Sequence, residues 1–373
     1  MNTFVLLNTV KNRIKAGLVL VSAILLTSCG ETTCSDDSVA AADAKTYQWK
    51  MVTSWPKNFP GLGLTPEKFA QYVNDMSNGR LTVKVYGAGE IVPGLQVFDA
   101  VSQGTVQMGH SGAYYWKGKI PAAPIFSAIP FGMTSSEFNA WMSYGGGQEL
   151  WQELYKPFGI IPMLGGNSGG QFAGWFKKEI NSIDDLQGLK MRLPGLGGEV
   201  LKRAGGVPVT ITGGEIFSAL QSGALDASEW VGPYNDLAFG FHQAAEYYYS
   251  TIWHEPGTAL EFLINEKAFN ELPADLQHIV TIAAQAANQS TFDEYNARNN
   301  AALNTLVNEH QVKLRTFPDD VIAQLRTLTD EVITEQVEAD ESFAKVWSSY
   351  SEFLGSMREY NQMTMQAYYQ NRK

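Results

Sequence analysis

Alternating apolar and polar positions in "TYQWKMVTSW" (46–55) and "RLTVKVYG" (80–87) predict two strands. Between them "TPEKFAQYVNDMSNG" (65–79) repeats its apolar residues at helical spacing. A strand, a helix and a strand in that order predict a parallel pair joined by a crossover. "FGIIPMLGGNSGG" (158–170) reads as an apolar strand ending in a glycine-rich loop, and "NSIDDLQGLKMRLPG" (181–195) as a capped turn followed by a strand that carries Arg192. "TALEFLINEKAFNEL" (258–272) is a strand running into a helix. From Pro273 onward the pattern is helical almost to the end, with a break near Phe317-Pro318. Residues 274–310 contain no Pro or Gly, so one long helix is expected there.

One unit of this pattern occurs twice. "VFDAVSQGTVQMGHS" (97–111) aligns without a gap on "IFSALQSGALDASEW" (216–230), pairing Phe98 with Phe217, Ala100 with Ala219, Gly104 with Gly223 and Val106 with Leu225 at an offset of 119. Each copy reads as a short helix, a glycine at its C-terminal end and a buried strand. Thr212 and Glu215 add a capping box at the start of the second helix. Two copies in two halves imply two α/β lobes.

The first residues are of another kind. Lys11, Arg13 and Lys15 precede the apolar run "AGLVLVSAILL" (16–26), which is too short for a permanent membrane span. It leads into Leu26-Thr27-Ser28-Cys29, which resembles the lipobox of bacterial lipoproteins and implies cleavage before Cys29 and its acylation. Loss of residues 1–28 removes three basic and no acidic residues, taking the formal charge from -11 to -14. So acidic a chain argues against nucleic acid or an anionic membrane surface as the main partner. Residues 29–46 read as a flexible polar tether. The second of the two cysteines, Cys34, lies in it, so the body from Tyr47 onward has no cysteine. Thiol catalysis, cysteine-zinc sites and a disulfide framework are thereby excluded from the body.

Ligands of open α/β sheets bind beyond the carboxyl ends of strands. Those ends offer His110, Ser111, Tyr114 and Tyr115 in the first half. The second half offers Asn167, Gln171, Arg192, Glu229-Trp230 and His254-Glu255. Arg192 inside an apolar strand requires an anionic partner, either a ligand carboxylate or an internal carboxylate such as Glu229. Glu229, Glu255 and Gln171 together would make an all-oxygen set suited to Na+ or Ca2+ and unsuited to zinc. The same two glutamates could instead be the acid pair of a periplasmic hydrolase of glycosidase type, but no Ser-His-Asp arrangement accompanies them. His254 has a plain reading as a hydrogen-bonded histidine at a strand end.

From about Tyr47 to residue 350 the chain resembles the extracytoplasmic solute-binding proteins of TRAP transporters, the DctP-type family. The resemblance rests on "LQGLKMRLPG" with its strand arginine, on "FSALQSGALDA" (217–227) and on "PADLQHIV" (273–280) opening a long helix. It is strongest to the subgroup that binds 2-oxo or 2-hydroxy monocarboxylates with a metal. In that subgroup a glutamine, a glutamate-tryptophan pair and a later glutamate hold the cation, and "GQFAGW", "SEW" and "HEPG" match those positions. The resemblance implies a two-lobed periplasmic-binding-protein fold, no enzymatic activity, and TRAP membrane subunits as partners. It implies Na+ or Ca2+ held by Gln171, Glu229, the Trp230 carbonyl and Glu255. A small organic-acid anion would contact Arg192, Gln171, Asn167, Trp230 and either Tyr114 or Tyr115. The expected layout is a signal peptide at 1–28, a tether at 29–46, lobe I at 47–160 completed by a segment after about 258, and lobe II at 161–257. Helices at 273–334 would span or pack on the lobes. A C-terminal helix at 335–373 would pack on a second copy, since members of the subgroup can dimerise through added C-terminal helices. A lipid anchor at Cys29 would depart from the freely diffusing habit usual in the family.

Overall fold

The computed structural model describes residues 45–372. The expected signal peptide, Cys29, Cys34 and all but the end of the tether lie outside the described residues. No helix among the described residues is long and apolar enough to cross a membrane.

The strands are β1 (Tyr47–Thr53), β2 (Leu81–Tyr86), β3 (Met108–Ser111), β4 (Ile160–Asn167), β5 (Gly174–Phe176), β6 (Lys190–Arg192), β7 (Val207–Val209), β8 (Ala227–Ser228), β9 (Tyr247–Tyr249), β10 (Ala259–Asn265) and β11 (Lys313–Arg315). They form two sheets, in the orders β2-β1-β3-β10-β4 and β11-β9-β5-β8-β6-β7. In the first, β1 runs parallel to β2 and β3, and the crossover from β1 to β2 is the helix Leu64–Met76. That helix buries Phe69, Ala70 and Val73, the positions its periodicity marks. The run "ALEFLIN" of β10 has no alternation because it lies between β3 and β4 and is buried along nearly its whole length.

The chain passes between the sheets later than expected. β4 pairs with β10 from Ile160 to Asn167, so residues 160–167 belong to the first sheet and not to the second half. An eight-residue apolar strand needs a partner over its full length, and β10 supplies it. The crossings fall between Asn167 and Gly174, between Tyr249 and Ala259, and again between Asn265 and Lys313, where β11 joins the second sheet.

Both copies of the repeat take the expected form. Gly104 (φ +71°) and Gly223 (φ +81°) adopt left-handed backbone where the helices Val97–Ser102 and Gly213–Ser222 end. β3 and β8 then begin at positions 119 apart, so that His110 of the first copy corresponds to Glu229 of the second.

The helix Ala274–Asn308 is continuous over 35 residues. Its first half sets Leu276, Val280, Ala283, Ala284 and Ala287 against Met51, Phe69 and Phe262 of the first sheet's core. Its second half carries Tyr295 and Leu306 into the cluster that holds Trp175, Ile216, Trp230 and Tyr248.

The C-terminal stretch is not one helix from 335. Helix Asp319–Ala339 stops at Asp340, whose carboxylate accepts the Phe343 N–H at 2.7 Å and caps a second helix, Glu341–Asn361. Phe343, Val346 and Tyr350 are buried against this same chain, and the Tyr350 hydroxyl accepts the Met133 N–H at 2.6 Å. Beyond a π-helical turn, Gln362–Gln366, the helix Ala367–Asn371 is exposed, with Tyr360, Met363, Tyr368 and Tyr369 all more than half accessible.

Candidate ligand and cation site

β6 and β8 are parallel neighbours with Arg192 opposite Ser228, so both strands end at the same level. That register sets Arg192 beside Glu229. The guanidinium Nη1 donates to Glu229 Oε2 at 2.6 Å and to the Glu229 carbonyl at 3.2 Å. Nε donates to the Ile211 carbonyl at 3.5 Å and Nη2 to the Tyr115 hydroxyl at 3.0 Å. The guanidinium also lies over the Trp230 ring, 4.9 Å from its centroid. Four of its five N–H groups are thus engaged, and one on Nη2 remains. Of the two partners left open for Arg192, the internal one, Glu229, is present. A free two-pronged fork for a ligand is not.

Residues 167–171 and 254–258 are sewn together by backbone bonds. The Gln171 N–H donates to the Glu255 carbonyl at 2.9 Å and the Ser168 N–H to the Thr258 carbonyl at 3.0 Å. The amides of Gln171 and Asn167 each use one end on the protein and leave the other free. Gln171 Nε2 donates to Ser168 Oγ at 2.9 Å, and its Oε1 has no partner. Asn167 Oδ1 accepts from Ser135 Oγ at 2.6 Å and from the Gly169 N–H at 2.9 Å, and its Nδ2 has none. Glu255 Oε2 accepts from Thr258 Oγ1 at 2.7 Å. Trp230 Nε1 and both ring nitrogens of His254 are buried and unpartnered. Orphaned buried polar atoms are rare in folded proteins, and these belong to residues at the end of β4, just after β8 and on the two connections that follow β4 and β9.

Glu229, His254 and Glu255 each bring a ligand atom within 4.8 Å of the other two. Burial pushes the Glu229 carboxyl up to about 7 against the pull of Arg192. Glu255 is also raised to about 7, by burial and by its neighbour Glu229. Burial lowers His254 to about 4, so its ring is neutral. Burial holds Tyr114 and Tyr115 above the ordinary phenol range. Two carboxylates face one guanidinium, so a cation would restore balance. The unpartnered Gln171 Oε1 and the converging carboxylates fit such an ion.

Tyr115 reaches Arg192, while the Tyr114 ring stacks edge-on against Tyr115 at 4.6 Å and abuts Gly195 of the second half. His110 and Ser111 stand apart from this cluster. His110 Nδ1 accepts from Trp55 Nε1 at 2.7 Å and Nε2 lies 2.7 Å from the Gly165 carbonyl, while Ser111 Oγ bonds Ser54 Oγ. Both residues brace the first sheet.

Sequence reasoning passed over Asp236. This buried carboxylate accepts from Trp175 Nε1 at 3.0 Å, Tyr248 OH at 2.8 Å and the Gly232 N–H at 3.2 Å, tying down the turn after Trp230. The signal for it is Gly232-Pro233 opening a helix with an acid three residues on. Ser135, Ser168 and Thr258, which orient the amides and Glu255, carry no local signal.

The sequence profile of bacterial extracellular solute-binding protein family 7 matches residues 51–340. A monocarboxylate 2-oxoacid-binding periplasmic protein of Nostoc sp. is 39% identical over 94% of this chain and 95% of its own length. A TRAP periplasmic solute-binding protein of Pseudoalteromonas atlantica, solved with sodium and pyruvate, superposes with a TM-score of 0.86 at 43% identity over 88% of this chain and 100% of that one. One from Colwellia psychrerythraea, solved with calcium and pyruvate, gives 0.85 at 43% identity over the same shares, 88% and 100%. A third, from Bordetella bronchiseptica, is a dimer with calcium and picolinate, at TM-score 0.86 and 34% identity over 88% and 97%.

Proposed function

Since the chain belongs to family 7 of the bacterial extracellular solute-binding proteins, we propose that it captures a small 2-oxo or 2-hydroxy monocarboxylate, such as pyruvate or lactate, together with Na+ or Ca2+. It would deliver the acid to the membrane subunits of a TRAP transporter in the periplasm. The observation that carries this is the set of buried, unpartnered polar atoms beside Glu229, Glu255 and Arg192. Gln171 Oε1, Glu229, the Trp230 carbonyl and Glu255 would hold the ion. The substrate carboxylate would complete its shell and take the remaining Nη2 hydrogen of Arg192, with Asn167 Nδ2 donating to the 2-oxo or hydroxyl oxygen and Tyr114 and Trp230 walling the acid. The family is one of solute receptors, and no observation favours the hydrolase reading of the glutamate pair.

Calorimetric titration of the mature protein with pyruvate, after stripping with chelator and then with Na+ or Ca2+ restored, tests the reading. Affinity should depend on the ion, and the dependence must be reciprocal. Glu229→Gln should lose both ligands together, and Asn167→Ala should weaken the acid more than the ion. Undiminished pyruvate binding without any cation would overturn it.

We further propose acylation at Cys29 as the membrane tether and self-association through the exposed tail from Tyr360 to Tyr369. Truncation after Gly355 preserves the buried Phe343, Val346 and Tyr350, so it should lower the oligomeric mass in light scattering without unfolding the protein.

A further inference from the structure

Glu261 interrupts the apolar run "ALEFLIN" of β10 and is fully buried. A carboxyl in a dry interior is unfavourable unless its oxygens are engaged. Here Oε1 accepts the indole N–H of Trp116, and Oε2 accepts the Tyr155 O–H at 3.0 Å. Burial raises the group to about 8, so it is largely protonated at neutral pH and glutamine is its close isostere.

The register of the sheet decides what this carboxyl is set against. Glu261 stands opposite Ser111, the last residue of β3. On its other side β4 passes over Gly165 between the residues paired with Leu260 and Glu261, a bulge of the kind that re-aims a side chain. Beyond Ser111 and Gly112 the chain makes the short helical turn Ala113–Trp116. Glu261 fixes the far end of that turn through Trp116, whose carbonyl then accepts the N–H groups of Lys119 and Ile120. The turn carries Tyr114, which abuts Gly195, and Tyr115, whose hydroxyl accepts from Arg192 Nη2 at 3.0 Å.

We propose that Glu261 is a positioning residue of the binding cleft. By holding Trp116 it fixes the turn that sets Tyr115 against Arg192 and Tyr114 against Gly195. The inference rests on the receptor reading above and adds to it a residue that touches neither the acid nor the ion.

The test uses the mature protein, stripped with chelator and titrated by calorimetry first with Ca2+ alone and then with pyruvate in Ca2+. Glu261→Gln keeps an oxygen for Trp116 and a polar end for Tyr155, and its pyruvate affinity should stay within about twofold of wild type. Glu261→Leu leaves Trp116 Nε1 without an acceptor and should lose about tenfold. Tyr155→Phe strips the other bond of Glu261, and should lower the melting temperature without that loss. Affinity for Ca2+ alone should be equal in all four proteins, since none of the ion's proposed ligands bonds the turn. Wild-type pyruvate affinity in Glu261→Leu overturns the proposal. So does an equal loss in Glu261→Gln or Tyr155→Phe, or a Ca2+ loss that matches the pyruvate loss. If Glu261→Leu does not fold, Trp116→Phe removes the same hydrogen bond from its other side and is read by the same criteria. Hydrogen exchange over residues 112–120 reads the turn with no ligand present. It should quicken in Glu261→Leu and not in Glu261→Gln, and unchanged exchange in both overturns the proposal. Absence of pyruvate binding by wild type, with that exchange pattern intact, would instead remove the receptor reading and leave the anchor of the turn standing.

Discussion

Arg192 organises more of the site than any other side chain, through its bonds to Glu229, Ile211 and Tyr115 and its face on Trp230. Lysine would keep the charge but could not reach all of these at once, leaving buried acceptors unpaired at about 1–3 kcal/mol each. Arg192→Lys should therefore lower the melting temperature as well as weaken carboxylate binding. Calorimetry showing unchanged affinity would make the residue purely structural. Glu261 poses the opposite case, a buried carboxyl in β10 that accepts from Trp116 Nε1 and Tyr155 OH with no cation beside it. Burial raises it from 4.5 to about 8. The folded protein therefore holds this proton more tightly than the unfolded chain does. Its contribution to stability is complete below pH 4.5 and is lost as pH rises through about 8. Glu261→Gln cannot ionise, so the variant should melt near wild type at pH 5 and above it at pH 9. Melting curves across that range decide, and a variant less stable at pH 9 refutes the assignment.

Among the elements, those with length or punctuation were legible. β1, β2 and the helix between them announced themselves by period, and the 35-residue helix by its lack of Pro and Gly. The repeat was readable because Gly104 and Gly223 each supply a left-handed residue that other side chains resist. An added Cβ at Gly223 meets nothing within 4 Å, and at Gly104 only Asn265 Nδ2 at 3.7 Å. Alanine at either position should cost about 1 kcal/mol, from backbone strain alone. Denaturant titration giving clearly unequal costs would break the equivalence of the two turns. What stayed hidden was short or set by distant residues. β5, β7, β9 and β11 have three residues each, too few for any period to show. The end of lobe I was misplaced because β4 is defined by β10, almost a hundred positions later. The candidate site residues stand at the strand ends, but the Arg192–Glu229–Tyr115 pairing depends on how two halves meet. His254 reads in sequence as a hydrogen-bonded histidine at a strand end, because a lone histidine does not reveal that both its nitrogens lack partners.

In the whole molecule the two halves are closed on each other. Phe59 stacks on Phe239 at 4.1 Å, and Asn235 Nδ2 donates to the Pro60 carbonyl at 2.9 Å while its Oδ1 accepts from Tyr295 OH at 2.7 Å. None of these belongs to the ligand set. Asn235→Ala should weaken the closed state by about 1 kcal/mol and so lower affinity for every acid by the same factor, about fivefold. Titration with pyruvate and with a longer 2-oxo acid checks this, and a loss confined to one of them would refute it. The helix Ala274–Asn308 meanwhile gives Leu276 to Ala287 to one core and Tyr295 and Leu306 to the other. Melting either half strips a wall from its neighbour, so calorimetry should record a single endotherm whose van't Hoff and measured enthalpies agree. If the halves part to admit a solute, one shared rod would keep the protein from dissolving along the seam at which it opens.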